Sequence, residues 1–232
     1  MSNNSIISVD YASPSSSSSA ASVTDATLES DTGGAVLART NNNTFTRVVS
    51  NADAGLRNSA DLALFDEFTN NGTFTVNTEQ GVSTTTLFIS GGPVLLRGSG
   101  TLRLNVGDAN ADLNDAQIVC EAGSSAVNAG THTIAGKGLL DGDWINNGTI
   151  SADRAGQDLQ ITGPVDQTGG GVIRADNAGR LLLRNAQVLG GTLDSSPDAS
   201  VEIIFDATDI SLSVINARSR TAARRCANSR RA

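Results

Sequence analysis

The chain has 232 residues, a net charge of −8, 3 % aromatic and 17 % charged residues, two cysteines and one histidine. A single histidine excludes multi-histidine metal sites and paired-histidine acid–base chemistry, and two distant cysteines exclude a disulfide framework. Six arginines (218, 220, 224, 225, 230 and 231) fall within residues 217–232, which hold no acid, so the remaining body carries about −14 and is expected to disfavour nucleic acid.

In chain order, the serine run Ser15–Ser19 predicts a flexible lead-in over residues 1–22, since such a segment buries too little apolar surface to offset ordering. Met1-Ser2-Asn3-Asn4-Ser5 lacks the basic and apolar regions of a secretory signal, which fits a piece of something longer. From Val23 onward short apolar runs alternate with turns: 35–38, 45–49, 62–65, 68–76 broken at Asn70-Asn71-Gly72, 86–89, 94–96, 101–106, 117–120 and 130–134. None holds a 3.6-residue period, so no helix is predicted. In Thr101–Val106 the apolar residues 102, 104 and 106 share one face, as in a strand with one side in a core. No apolar run approaches the roughly twenty residues that span a bilayer.

A phrase then recurs: Asn147-Gly148-Thr149-Ile150-Ser151-Ala152-Asp153, Gly170-Gly171-Val172-Ile173-Arg174-Ala175-Asp176 and Gly190-Gly191-Thr192-Leu193-Asp194. A repeat of roughly 20 to 24 residues, each a turn followed by an alternating run, predicts an all-β parallel β-helix in which each coil of chain lies on the last. The Asn-Gly pairs also suit hairpins, so an antiparallel sandwich is the alternative. In the solenoid, Asn71, Gly72, Asn147, Gly148, Gly171 and Gly191 become corners, with glycine supplying positive φ and asparagine stacking on asparagine. At a spacing near 4.8 Å, residues 23–212 would give roughly eight rungs, followed by a basic tail over 213–232 that is expected to be disordered.

Phe68–Val76, Gly98–Leu102, Gly130–Gly138, Ile145–Asp153 and Val172–Asp176 in succession resemble the repetitive β-helical regions of large bacterial secreted and surface proteins, of the autotransporter-passenger and filamentous-haemagglutinin-like kind. The resemblance is one of pattern and covers about residues 23–210. It implies a right-handed helix outside the cell, acting in adhesion or as a stalk, with surface glycans or host and neighbour-cell proteins as partners. It carries over no active site, and this chain has no recognisable anchor motif.

Three constellations could carry chemistry. Asp108, Asn110 and Asp112 match the first ligand positions of a calcium loop, but Leu113 and Val119 stand where glycine and a bidentate glutamate belong. A solvated turn fits better; Ca2+ is the only cofactor the pattern suggests. Asp141 and Asp143 flank Gly142 beside Trp144, the one tryptophan, which suits a sugar contact as well as a core residue at a strand start. Asp153, Asp176 and Asp194 fall at similar repeat positions, where stacking would form a row of carboxylates about 5 Å apart. Such a row suits a polysaccharide-acting enzyme, or simply a copied repeat. His132 and Cys120 read as a packed histidine and a lone thiol. The expectation is a non-enzymatic structural or adhesive segment, with the polysaccharide enzyme or carbohydrate-binding module as its rival.

Overall fold

Alternation of apolar and polar residues gives each short strand one inward face, and such strands are stable only when neighbours cover their edges. The chain meets both demands by coiling. The computed structural model describes residues 21–30, 35–109, 112–204 and 218–219. Among these every strand pairing is parallel, and together they form a β-solenoid of about eight turns, as the repeat predicts. The only helical element described is a 3-10 turn at Leu113–Asp115.

Each turn has three faces. Turn 3, for example, uses 61–65 for face 1, 67–70 for face 2 and Thr73–Val76 for face 3, and the chain then starts turn 4 at Thr86. Turns 5, 6, 7 and 8 begin at Gln117, 138, Asp158 and Arg180. A short strand at Arg218–Ser219 pairs with Thr192–Leu193, so the pattern recurs once inside the stretch expected as tail. The serine-rich lead-in before Ala21 and the rest of the basic tail lie outside the described residues.

Stacking places like over like. Leu62, Leu87, Ile118, Leu140, Ile161 and Leu183 form one inward column on face 1, while Phe74, Leu102, Ile134, Ile150 and Ile173 form another on face 3. These residues are buried, and each branched aliphatic removed from water contributes about 1.5–3 kcal/mol. Three phenylalanines fill the wider early turns: Phe68 stacks tilted on Phe45 at 6.2 Å and edge-on to Phe74 at 5.3 Å.

The three corners differ. Between faces 1 and 2 the chain bends at one residue of positive φ in turns 2, 3, 6, 7 and 8, namely Arg47 (φ 52°), Asp66 (φ 60°), Gly142 (φ 109°), Gly163 (φ 86°) and Asn185 (φ 50°), whereas turn 4 uses two glycines, Gly91 (φ 78°) and Gly92 (φ 120°). Between faces 2 and 3 it turns within a few residues. Between faces 3 and 1 it carries loops of changing length: 77–85 and 106–116 are long, whereas Thr133–Asp141 runs through the corner as one strand. The repeat length changes accordingly. Leu87 pairs with Ile118, 31 residues on, but Leu140 pairs with Ile161, 21 residues on.

The glycines at the face 2–3 corner correct one sequence expectation. Gly191 has positive φ (62°), but Gly72, Gly148 and Gly171 do not. They are required because a Cβ there would fall 2.6 Å from Ala52 O, 2.3 Å from Ala129 O and 1.9 Å from Asn146 O. Rung-on-rung approach at the corner leaves no room for a side chain.

Candidate functional site

Two polar regions stand out, one outside the coil and one within it. The outer one is the looped corner between faces 3 and 1. Lys137, on the loopless strand Thr133–Asp141, is buried and donates from Nζ to Gly107 O (2.9 Å) and Asp108 O (3.3 Å). Arg154, one turn further on, donates to Asn105 Oδ1 (2.9 Å), Val106 O (3.3 Å) and Asp108 Oδ1 (2.6 Å). Two cations from later turns thus hold down the 106–116 loop. Burial lowers the Lys137 pKa, with the Asp108 carboxylate opposing that shift. The 77–85 loop is held by Asn77, whose amide donates to Gly81 O (2.8 Å) and Asp115 O (2.9 Å) and accepts from Gly81 N (3.0 Å).

Two of the three residues of the calcium pattern are engaged within the chain. Asp108 is bound by Arg154, and Asp112 caps the 3-10 turn by accepting from Asn114 N (3.0 Å) and Nδ2 (2.8 Å). Asn110 lies outside the described residues. Among the described residues no three His, Cys, Asp or Glu side chains are grouped so as to hold a metal ion.

Of the three repeat carboxylates, Asp153 and Asp176 follow the aligned Ala152 and Ala175, but Asp194 does not continue the row. Register aligns Asp194 with Arg174, two positions before Asp176. Asp153 is bound by Arg103 through two hydrogen bonds (3.2 and 2.8 Å), and Asp176 pairs with Arg174 (2.6 Å). The sequence phrases end alike, but Gly190-Gly191-Thr192-Leu193 reaches its aspartate two residues sooner.

Asp141 accepts from the Thr162 hydroxyl of the next turn, and Asp143 is exposed at the start of face 2. Trp144 points the other way. It is 2 % exposed, aligned with Ala126 and Val165 in the inward column, and its Nε1 has no hydrogen-bond partner. Alternation along the strand separates Trp144 from Asp143, so the indole offers no face to a sugar.

The inner region went unrecognised in the sequence. Within the face 2–3 corner Asn128 Nδ2 donates to Asn146 Oδ1 (2.8 Å), and Asn146 Nδ2 donates to Gln167 Oε1 (3.0 Å). His132 Nδ1 meets Asn128 Oδ1 at 2.7 Å, and His132 Nε2 meets Asn70 Nδ2 at 3.5 Å. All five side chains are buried, and together they form a polar file running along the axis from turn 3 to turn 7. Turn 4 contributes nothing to it: its corner is Gly98-Ser99-Gly100, and a Cβ on either glycine would strike Asn70 O (2.1 and 2.7 Å). The imidazole of turn 5 fills that gap. Desolvation pushes the His132 pKa down to about 4.

The expected corner asparagines lie just outside this file. Asn71 donates to Asn51 Oδ1 (2.8 Å), and Asn51 donates in turn to Glu29 Oε1 (2.7 Å), giving an exposed outer stack. Asn147 adjoins the buried Asn146 but takes no part in the file, and its Oδ1 lies 1.9 Å from where a Cβ on Gly169 would fall. Cys120 is a free, half-buried thiol donating to Asp143 O (3.4 Å), with its pKa pushed up to about 12 mainly by burial. It sits on face 1, away from the corner that holds His132.

Comparison with protein-family models, with curated proteins and with solved structures gives no match to this chain. Among the described residues no helix is long and apolar enough to cross a membrane.

Proposed function

We propose that this chain is a non-enzymatic structural segment, a spacer or adhesive stalk, of a bacterial secreted or surface protein. The observation that carries the reading is how the outward charges are used. Arg47 bridges Asp25 (2.6 Å) and Asp66 (2.7 Å) of the turns on either side, Arg97 pairs with Glu67 (2.5 Å), and Arg180 with Asp158 (2.6 Å). Arg103 reaches Asp153 two turns away and Arg154 reaches back to Asp108. Acids and bases that could converge on a substrate are instead spent bracing one turn against another, along an axis whose length is set by the number of turns. The resemblance to surface β-helices supports an extracellular location, and the acidic body supports partners other than nucleic acid.

The purified chain tests this directly. Stretched between its ends, a spacer resists force and extends in steps of about one turn, and it releases no reducing sugar from a polysaccharide panel. Polysaccharide cleavage that disappears in Asp141→Asn or Asp143→Asn would overturn the reading. Binding on a glycan array with intact polysaccharide would select the adhesive form of it.

A further inference from the structure

The buried file has a direction, and the direction can be read without seeing hydrogens. Asn128 Nδ2 also contacts Thr149 O (3.3 Å) and Asn146 Nδ2 also contacts Val172 O (3.2 Å). A backbone carbonyl only accepts, so each amide nitrogen must face it. Asn128 Oδ1 is thereby turned towards His132 Nδ1, which must carry the proton of the 2.7 Å bond. A neutral imidazole protonated at Nδ1 has a lone pair at Nε2, and that lone pair faces Asn70 Nδ2. Every N–H then points towards the C-terminal turns. The two groups left unpartnered, Asn70 Oδ1 and Gln167 Nε2, sit at opposite ends of the file, an acceptor at one and a donor at the other.

We propose that Asn70 and His132 form an acid-responsive joint between turns 3 and 5, in which protonation of Nε2 turns the Asn70 carboxamide over to present Oδ1. The proton comes from solvent and no covalent bond breaks. Nδ1–H keeps its bond to Asn128, so the C-terminal part of the file is undisturbed. Turning over costs little at Asn70, because its nitrogen has only the long 3.5 Å contact to lose and its orphaned oxygen gains a partner. What opposes charging is burial itself.

No counter-charge offsets that burial. The charged groups on the strands and turns packed against this corner are Asp53, Glu67, Arg97, Arg103, Lys137, Asp143, Asp153 and Asp166; Asp53 accepts from Thr73 N (3.0 Å) and Asp166 from Thr168 N (2.8 Å). Glu67 is bound to Arg97 and Arg103 to Asp153, Lys137 is held by loop carbonyls, and Asp143 is exposed. The joint falls where the corner of turn 4 is glycine-lined, so the imidazole is the one side chain linking the asparagine of turn 3 to the amides beyond. A charge placed there acts on the coupling between the first three turns and the rest.

The chain has one histidine and one tryptophan, which makes the test direct. Histidine labelled with 15N in the full chain gives one pair of ring resonances. The expected spectrum at neutral pH is Nδ1 protonated and Nε2 bare, with Nε2 titrating well below the free imidazole. Trp144, whose strand Asp143–Asn146 contributes Asn146 to the file, reports the accompanying change in the core by its fluorescence. Asn70→Asp should supply the missing counter-charge and raise proton affinity at His132 roughly tenfold or more. His132→Gln should remove the component of the Trp144 pH response whose midpoint coincides with the Nε2 titration read from the 15N spectrum. An Nε2–H tautomer at neutral pH, a free-imidazole midpoint, or an unchanged midpoint in Asn70→Asp would overturn the joint. The wild-type spectrum decides the first two without any variant, and none of these outcomes bears on the spacer reading.

Discussion

Two corners of one coil have opposite tolerances. The face 2–3 corner closes within a few residues, brings glycines against the carbonyls of the turn before and buries a file of amides. The face 3–1 corner spans anything from no loop at all to the 106–116 excursion, and it is tied down by the buried Lys137 and Asn77 and the half-buried Arg154. The lesson is that this solenoid keeps its register at the corner where buried side chains bond to one another from turn to turn. There a one-residue change orphans an amide in the core, whereas the other corner varies in loop length and has exposed positions, such as Gly156, that meet water.

This contrast can be broken most forcefully at the glycines. Gly148→Val, whose Cβ would lie 2.3 Å from Ala129 O and 2.4 Å from His132 O, should lower stability by about 4 kcal/mol or prevent folding. Gly156→Ala, with open space around its Cβ but φ at 67°, should lose only about 1 kcal/mol in the same urea titration. Comparable losses at the two would erase the difference between the corners. Next, Asn146→Leu strands the partners at Asn128 and Gln167 and should cost about 3 kcal/mol, read as a lowered urea midpoint with an unchanged slope.

Acid should act on the inner corner by a similar amount. The folded His132 pKa of about 4 lies below its ordinary 6.5, so the unfolded chain takes the proton first. The contribution of neutral His132 is complete above about pH 6.5 and declines as pH falls towards about 4, a loss of about 3 kcal/mol that should be smaller in His132→Gln. Inserting four Gly/Ser residues at Arg154–Gly156 should cost below about 1 kcal/mol, since loop closure depends weakly on length. The same insertion at Asn147-Gly148 should abolish folding. Smallest of all, Arg103→Gln should cost about 0.5 kcal/mol, with the effect shrinking as salt is added.

How much was legible follows the same division. Turns 6 to 8 repeat at nearly constant length, and their Gly-Gly and Asn-Gly phrases stood out in the sequence. Turns 3 and 4 carry the long loops, which stretch the spacing to 31 residues between Leu87 and Ile118 and hide the period. The doublets Asn70-Asn71 and Asn146-Asn147 pointed to asparagine stacking. Which member faces inward depends on strand phase, and a slip of one residue exchanges core for solvent. Asn70 and Asn146 are the buried members, while the expected corner residues were Asn71 and Asn147. A useful signal was present: in each doublet the first asparagine continues the alternation of the preceding strand, Phe68 to Asn70 and Trp144 to Asn146.

By itself the sequence determined that the chain is built of short one-faced strands at a recurring spacing with glycines near the corners, because period, alternation and turn chemistry are local properties. Parallel stacking over an antiparallel sandwich was decided by the pairing of distant turns. Only the tertiary structure decided that Trp144 belongs to the core, that Asp153 and Asp176 are taken up by Arg103 and Arg174, and that His132 completes a file begun at Asn70. Those depend on residues that lie far apart along the chain and meet only when one turn is laid on another.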